Sequence, residues 1–125
     1  MRINIDETDF DDDLRYFHQG KPFTGEAIET APTGELIALT TFRNGIEDGP
    51  HLGWYRDGSR RSETTVVNGK AVGISRKWYP NGQIAEEVEF DENGEMVMLR
   101  RWNEDGSPAP VRQRALNGEP SRETH

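Results

Sequence analysis

The sequence predicts an all-β fold, an elongated single-layer antiparallel β-meander built from about four 24-residue hairpin repeats. Three glycine ladders predict it. Trp54, Trp78 and Trp102 stand 24 residues apart, and each is followed four residues later by a glycine, at Gly58, Gly82 and Gly106, a series that Gly34 extends backward. Gly25, Gly49 and Gly73 repeat with the same 24-residue period. The third ladder, Gly20, Gly45, Gly69, Gly94 and Gly118, advances in steps of 25, 24, 25 and 24, with Gln19 before its first member and Asn before the other four.

The elements follow in order from these turn signals. Residues 1–14 form an acidic N-terminal segment, in which Arg2 to Ile5 can make an edge strand followed by a loop, with one helical turn over Asp11 to Phe17 as the alternative. Residues 15–106 hold the repeat sheet. In its second unit, Leu52 to Gly58 runs into a turn at Asp57-Gly58, and Ser59 to Gly69 into another at Asn68-Gly69; both dipeptides supply the positive φ angles of tight hairpins. Strand formers fill the intervals: Ile37 to Phe42, Thr64 to Val67, Ile74 to Tyr79, Val88 to Phe90 and Met96 to Trp102. About eight to ten strands follow from this spacing. Residues 107–125 keep Asn117-Gly118 in phase but lose the tryptophan, the pattern of a degenerate terminal unit and tail. Three breaks in the ladders mark where the regular sheet should bend or end: Thr30 in a tryptophan position, an extra residue before Asn93, and Val97 in a glycine position.

Composition limits the core and the chemistry. Only 32% of the 125 residues are hydrophobic and mean hydropathy is −0.90, too little apolar material for a thick two-layer core. The absence of cysteine excludes disulfides, thiolate zinc sites and a cysteine nucleophile. The chain has no long apolar run for stable membrane insertion and no signal-peptide pattern at its start, so the expected location is cytoplasmic. Of the net charge of −8, residues 1–13 carry −5, six acids against Arg2, leaving −3 for the remainder. That balance disfavours nucleic acid and leaves a basic partner open.

Four groups of residues are candidates for function. Trp54-Tyr55, Trp78-Tyr79 and Trp102 place aromatic rings on the sheet, with a tryptophan stack expected on one face and the tyrosines on the other. The same rings also serve as ordinary cross-strand packing. The pairs Arg76-Lys77 and Arg100-Arg101 recur 24 residues apart, either as a phosphate-binding ridge or as a solvated face paired with Glu86, Glu87 and Glu89. Asp9, Asp11, Asp12 and Asp13 form an acidic run, either a docking patch for a basic protein or a solvated segment. A calcium loop starting at Asp6 would need glycine and glutamate where Asp11 and Phe17 stand. His18, His51 and His125 are far apart in sequence, and no nucleophile elbow, phosphate loop or metal-spaced cluster occurs, so no enzyme activity, metal or cofactor is expected.

The segments GKPFTGEA (20–27), GWYRDG (53–58), NGKAVG (68–73), RKWYPNGQIAEE (76–87) and RRWNEDG (100–106) resemble MORN-type repeats. They are most similar to the bacterial variant associated with toxin-antitoxin antitoxins, over about residues 15–106. The resemblance implies an extended sheet acting as a protein-binding scaffold. On that basis Trp54, Tyr55, Trp78, Tyr79 and Trp102 are the expected anchors, with Asp9, Asp11, Asp12 and Asp13 as electrostatic contacts. A partner protein such as a basic toxin or effector would be occluded by one sheet face. Two alternatives remain: association with an anionic membrane surface through Arg76, Lys77, Arg100 and Arg101, and self-assembly through open sheet edges into homo-oligomers.

Overall fold

A computed structural model describes residues 1–111. The strands are β1 (Arg2–Asn4), β2 (Asp9–Phe10), β3 (Tyr16–His18), β4 (Lys21–Pro22), β5 (Gly25–Thr30), β6 (Leu36–Arg43), β7 (Ile46–Trp54), β8 (Arg60–Val67), β9 (Lys70–Trp78), β10 (Ile84–Phe90), β11 (Met96–Trp102) and β12 (Pro108–Ala109), with one 3-10 turn at Ile5–Glu7. Nine strands make one open sheet in the order β1-β5-β6-β7-β8-β9-β10-β11-β12, while β2-β3-β4 form a small second sheet. The architecture is all-β, open and mostly antiparallel. The Asn117-Gly118 turn, His125 and most of the 107–125 unit lie outside the described residues.

The first strand departs from a pure antiparallel meander. Ile3 pairs with Ala27 and β1 runs parallel to β5, because the chain from Ile5 to Pro22 crosses over one side of the sheet before β5 begins. That crossover is anchored by the backbone. The Tyr16 N–H donates to the Gly45 carbonyl (2.7 Å), the Gly45 N–H donates to the Phe23 carbonyl (2.7 Å), and the Phe23 N–H donates to the Tyr16 carbonyl (2.9 Å). Around this triangle lies the core cluster of Phe23, Ala27 and Phe42, with Ile3, Ile5 and Tyr16 packed against it. A single layer cannot enclose side chains, so the tightest burial occurs where a second layer exists.

Two kinds of turn join the strands. At Gln19-Gly20, Asn44-Gly45 and Asn68-Gly69 both residues have positive φ, as in the type I′ two-residue hairpin. The other kind is a five-residue loop. In one example the Tyr55 N–H donates to the Ser59 carbonyl and the Tyr55 carbonyl accepts from the Gly58 N–H, both at 2.9 Å; the same pair of bonds recurs from Ala31, Tyr79, Asp91 and Asn103. Asn93-Gly94 therefore belongs with the five-residue loops, because the extra residue before it lengthens the connection. A further copy closes the β2–β3 hairpin. The Asp11 N–H donates to the Arg15 carbonyl (3.1 Å), the Leu14 N–H donates to the Asp11 carbonyl (3.0 Å), and Leu14 takes φ 61° where the other loops have glycine.

The Gly25, Gly49 and Gly73 ladder has a different use from the turn glycines. Gly49 and Gly73 fall where the registers of β6–β7 and β8–β9 slip, between Thr40 and Phe42 and between Glu63 and Thr65. They are bulge residues, and both have positive φ. Val97 occupies the equivalent place in β11: Phe90 pairs with Met96 and Glu89 with Met98, leaving Val97 as the extra residue. The sheet does not end at this break but continues through β11 to β12.

Candidate functional site

In an antiparallel order, alternate strands run in the same direction, so β7, β9 and β11 end at one border of the sheet. Trp54, Trp78 and Trp102 are the last residues of those three strands, and all are half-buried. Strands two apart are separated by roughly 10 Å. The tryptophans form a spaced row, and among the described residues no ring pair joins them; the ring pairs lie at the other end, among Phe10, Tyr16, His18, Phe23 and Phe42. Thr30 ends β5 at the same border and leaves the row without a ring there. Arg60, in register with Trp54, places its guanidinium carbon 5.8 Å from the ring centroid.

Tyr55 and Tyr79 do not continue the strand alternation. Each is the first residue of a five-residue loop, and its hydroxyl reaches across the intervening strand to the end of the next parallel one. Tyr55 donates to the Trp78 carbonyl at 2.6 Å, and Tyr79 donates to the Trp102 carbonyl at 2.7 Å. The tyrosines thus act as crossbars that tie successive strand ends together and satisfy carbonyls at the sheet border. Asn81 adds a parallel link, its side-chain amide donating to the Glu104 carbonyl at 3.0 Å. Nothing in the local sequence signals these bonds, although both join a tyrosine to the tryptophan 23 residues later. Within the loops, the Ser59 hydroxyl and backbone N–H hold Asp57 below the usual carboxylate range, and Ser107 does the same for Asp105.

The basic rows are neutralised by a transverse ladder. Glu63 pairs in register with Arg76, Arg76 with Glu87, and Glu87 with Arg100, so all four side chains share one face across β8 to β11. Arg76 bonds Glu87 at 2.9 Å and approaches Glu63 at 3.5 Å; Glu63 also receives Arg60 at 2.6 Å, and Arg100 lies 3.8 Å from Glu87. The hydrogen bond with Glu87 holds the Arg76 pKa above its ordinary value. On the opposite face Arg101 lies 3.4 Å from Glu86, which is in register with exposed Lys77. Arg76, Arg100 and Arg101 therefore lie beside carboxylates, while Lys77 is in register with Glu86 without an ion pair among the described residues.

The acidic residues are divided by the β2–β3 hairpin. Asp9 is in β2, and Asp11 begins the loop, its carboxylate accepting from the Asp13 and Arg15 N–H groups at 3.0 Å each. Asp11 is consequently a turn-forming residue, and Asp9, Asp11, Asp12 and Asp13 are all exposed. Leu14 in the glycine position hides this turn from a glycine-based reading of the sequence.

His18 and His51 lie on different strands. His18 in β3 has Nδ1 3.2 Å from the Glu7 carbonyl, and His51 in β7 has Nδ1 3.1 Å from Glu47. The bond to Glu47 raises the His51 pKa, against the opposing effect of burial. Among the described residues no group of three or more His, Cys, Asp or Glu side chains is placed to hold a metal ion, and no helix is long and apolar enough to cross a membrane.

Residues 71–92 match the MORN repeat variant family, a segment covering most of β9, the Tyr79–Gln83 loop and β10. No curated protein matches the chain. Among solved structures the fold is similar to TarM, with a TM-score of 0.42 and 15% identity over 84% of this chain and 19% of that one. A TarM mutant from S. aureus, in complex with Fondaparinux, alpha-GlcNAc-glycerol and UDP, gives a TM-score of 0.41 at 15% identity over the same shares. The chain thus spans about a fifth of the length of these structures.

Proposed function

We propose that this chain is a non-enzymatic protein-binding module: an array of about four 24-residue MORN-like hairpin units that works in the cytoplasm by covering a surface of a partner protein. The observation that carries the reading is the row of half-buried tryptophans, Trp54, Trp78 and Trp102, at one border of an open sheet. Large rings held at fixed intervals on a rigid β framework supply apolar contact area at little entropic cost, the property of interface anchors. Tyr55 and Tyr79 hold those positions through their hydroxyls while presenting partly exposed rings beside them. Asp9, Asp11, Asp12 and Asp13 add negative charge at the opposite end, which favours a partner with a basic surface and accelerates encounter. Occlusion of a toxin or effector is the specific form of this activity that the repeat resemblance supports. The carboxylates facing the arginine rows weigh against the membrane alternative.

The test is co-expression with the products of adjacent genes, followed by affinity capture of the intact protein and of the Trp78→Ala and Trp54→Ala/Trp102→Ala variants. A specific complex that weakens at least about tenfold in the variants, with circular dichroism unchanged, is expected. Equal retention by all variants would show that the tryptophans serve packing alone.

A further inference from the structure

The hairpin formed by the acidic run builds one wall of a cleft that the tryptophan row does not explain. Its volume is about 380 Å³, and three segments distant in sequence line it: Asp13, Leu14 and Tyr16 from the β2–β3 hairpin, Ile46 and Glu47 from the start of β7, and the Asn68-Gly69 turn. The position is fixed by backbone bonds, since the Tyr16 N–H donates to the Gly45 carbonyl and the Gly69 N–H donates to the Glu47 carbonyl at 2.8 Å. Tyr16 is immobilised between Phe10 and Phe42, with ring centroids 5.3 and 4.6 Å away. Leu14, 69% exposed, holds an apolar side chain at the rim in a backbone conformation that its sister loops assign to glycine.

We propose that this cleft binds a lysine or arginine side chain from a basic loop of a partner protein. The chemistry is amphipathic on both sides. Leu14, Tyr16 and Ile46 provide an apolar wall for the aliphatic stem, and the Asp13 carboxylate, together with the Glu47 carboxylate that also bonds His51, provides acceptors for the cationic head. Asp13 uses only its backbone N–H in the loop, donating to Asp11, so its carboxylate is available to a ligand. The two ionisable residues that line the cleft, Asp13 and Glu47, are both acidic, and residues 1–13, which end in Asp13, carry −5. A neutral apolar side chain would leave the Asp13 carboxylate without a counter-charge, and an acidic one would be repelled. The inference deepens the basic-partner part of the proposed function and is independent of the tryptophan row.

The experiment is an amide NMR titration of the full chain with acetyl-Arg-Leu-Arg-amide and with acetyl-Glu-Leu-Glu-amide, at low salt and at 150 mM salt. Saturable shifts confined to residues 13–16, 46–47 and 68–69 are expected with the arginine peptide only. Asp13→Asn should weaken that binding about fivefold or more, whereas Asp12→Asn, on the same loop but outside the cleft, should change it less than about twofold. Leu14→Gly removes the apolar wall while relieving the backbone, so weaker binding without loss of thermal stability would support the assignment. Shifts spread over all exposed acids, equal effects of Asp12→Asn and Asp13→Asn, or no saturable shift would each overturn it. The outcome is separable from the tryptophan tests, because none of the cleft residues lies in that row.

Discussion

Replacing Tyr55 and Tyr79 by phenylalanine removes the two hydroxyl crossbars and leaves the rings in place. Each hydroxyl lies 2.6 or 2.7 Å from a strand-end carbonyl two strands away, in a partly buried setting. A hydrogen bond of this kind contributes about 1 kcal/mol net, because water recovers part of the carbonyl's bonding when the hydroxyl is lost. The two bonds tie different strand pairs and share no partner, so their effects should add, giving about 2 kcal/mol for Tyr55→Phe/Tyr79→Phe. A chain of this length has an unfolding entropy of roughly 0.26 kcal/mol/K, which converts the loss to a fall of about 8 °C in Tm, with about 4 °C for each single variant. Thermal unfolding followed by far-ultraviolet circular dichroism measures this directly, and urea unfolding checks the additivity. Partner binding through ring contacts should survive, since phenylalanine keeps the ring. A double variant that melts within 1 °C of the parent would refute the crossbar role; one that melts normally but loses its partner would show that the hydroxyls act in recognition.

Leu14→Gly should stabilise the protein by about 0.5 kcal/mol, because the left-handed conformation costs leucine about 1–2 kcal/mol and the added chain entropy of glycine returns only part of it; a lower urea midpoint would contradict this. Gly45→Ala should cost about 2 kcal/mol or more, since φ is +83° and a Cβ there would lie 2.8 Å from the Tyr16 carbonyl oxygen; an unchanged Tm would refute that account of the crossover. His51 should titrate above 6.5 by NMR, and Glu47→Gln should bring its pKa down. Because the folded-state pKa is raised, the stability contributed by this pair is fully present below about pH 6.5 and is lost as pH rises through the folded value. Glu87→Lys should strand Arg76 and Arg100 beside a like charge and lower Tm at low salt more than at 1 M salt; an equal change at both would show that the ladder is not electrostatic.

Much of the sheet was legible because turns are local. Asn44-Gly45 and Asn68-Gly69 specify their geometry through two residues, and the strand formers between turns need no knowledge of distant neighbours. The β2–β3 hairpin was not legible in the same way. Leu14 does not announce a left-handed residue, and only the bonds from Asp11 show that the acidic run is a turn. The candidate site divides similarly. The 24-residue period located Trp54, Trp78 and Trp102 in a row, but it could not distinguish stacked rings from a spaced row, which depends on strands two apart. The arginine rows were visible as charges, whereas their neutralisation by Glu63, Glu86 and Glu87 depends on cross-strand register.

The sequence by itself determined an open, mostly antiparallel β architecture with aromatic residues at regular intervals, because glycine turns and strand propensities act over a few residues. Only the tertiary structure decided that β1 returns parallel to β5, that Tyr55 and Tyr79 link strand ends rather than standing free, and that Asp13 and Glu47 meet across one cleft. Those outcomes depend on the register of strands and on the path of the crossover. Both are set by contacts between residues far apart in the chain, where many pairings satisfy local preferences and packing around Phe23, Ala27 and Phe42 selects one.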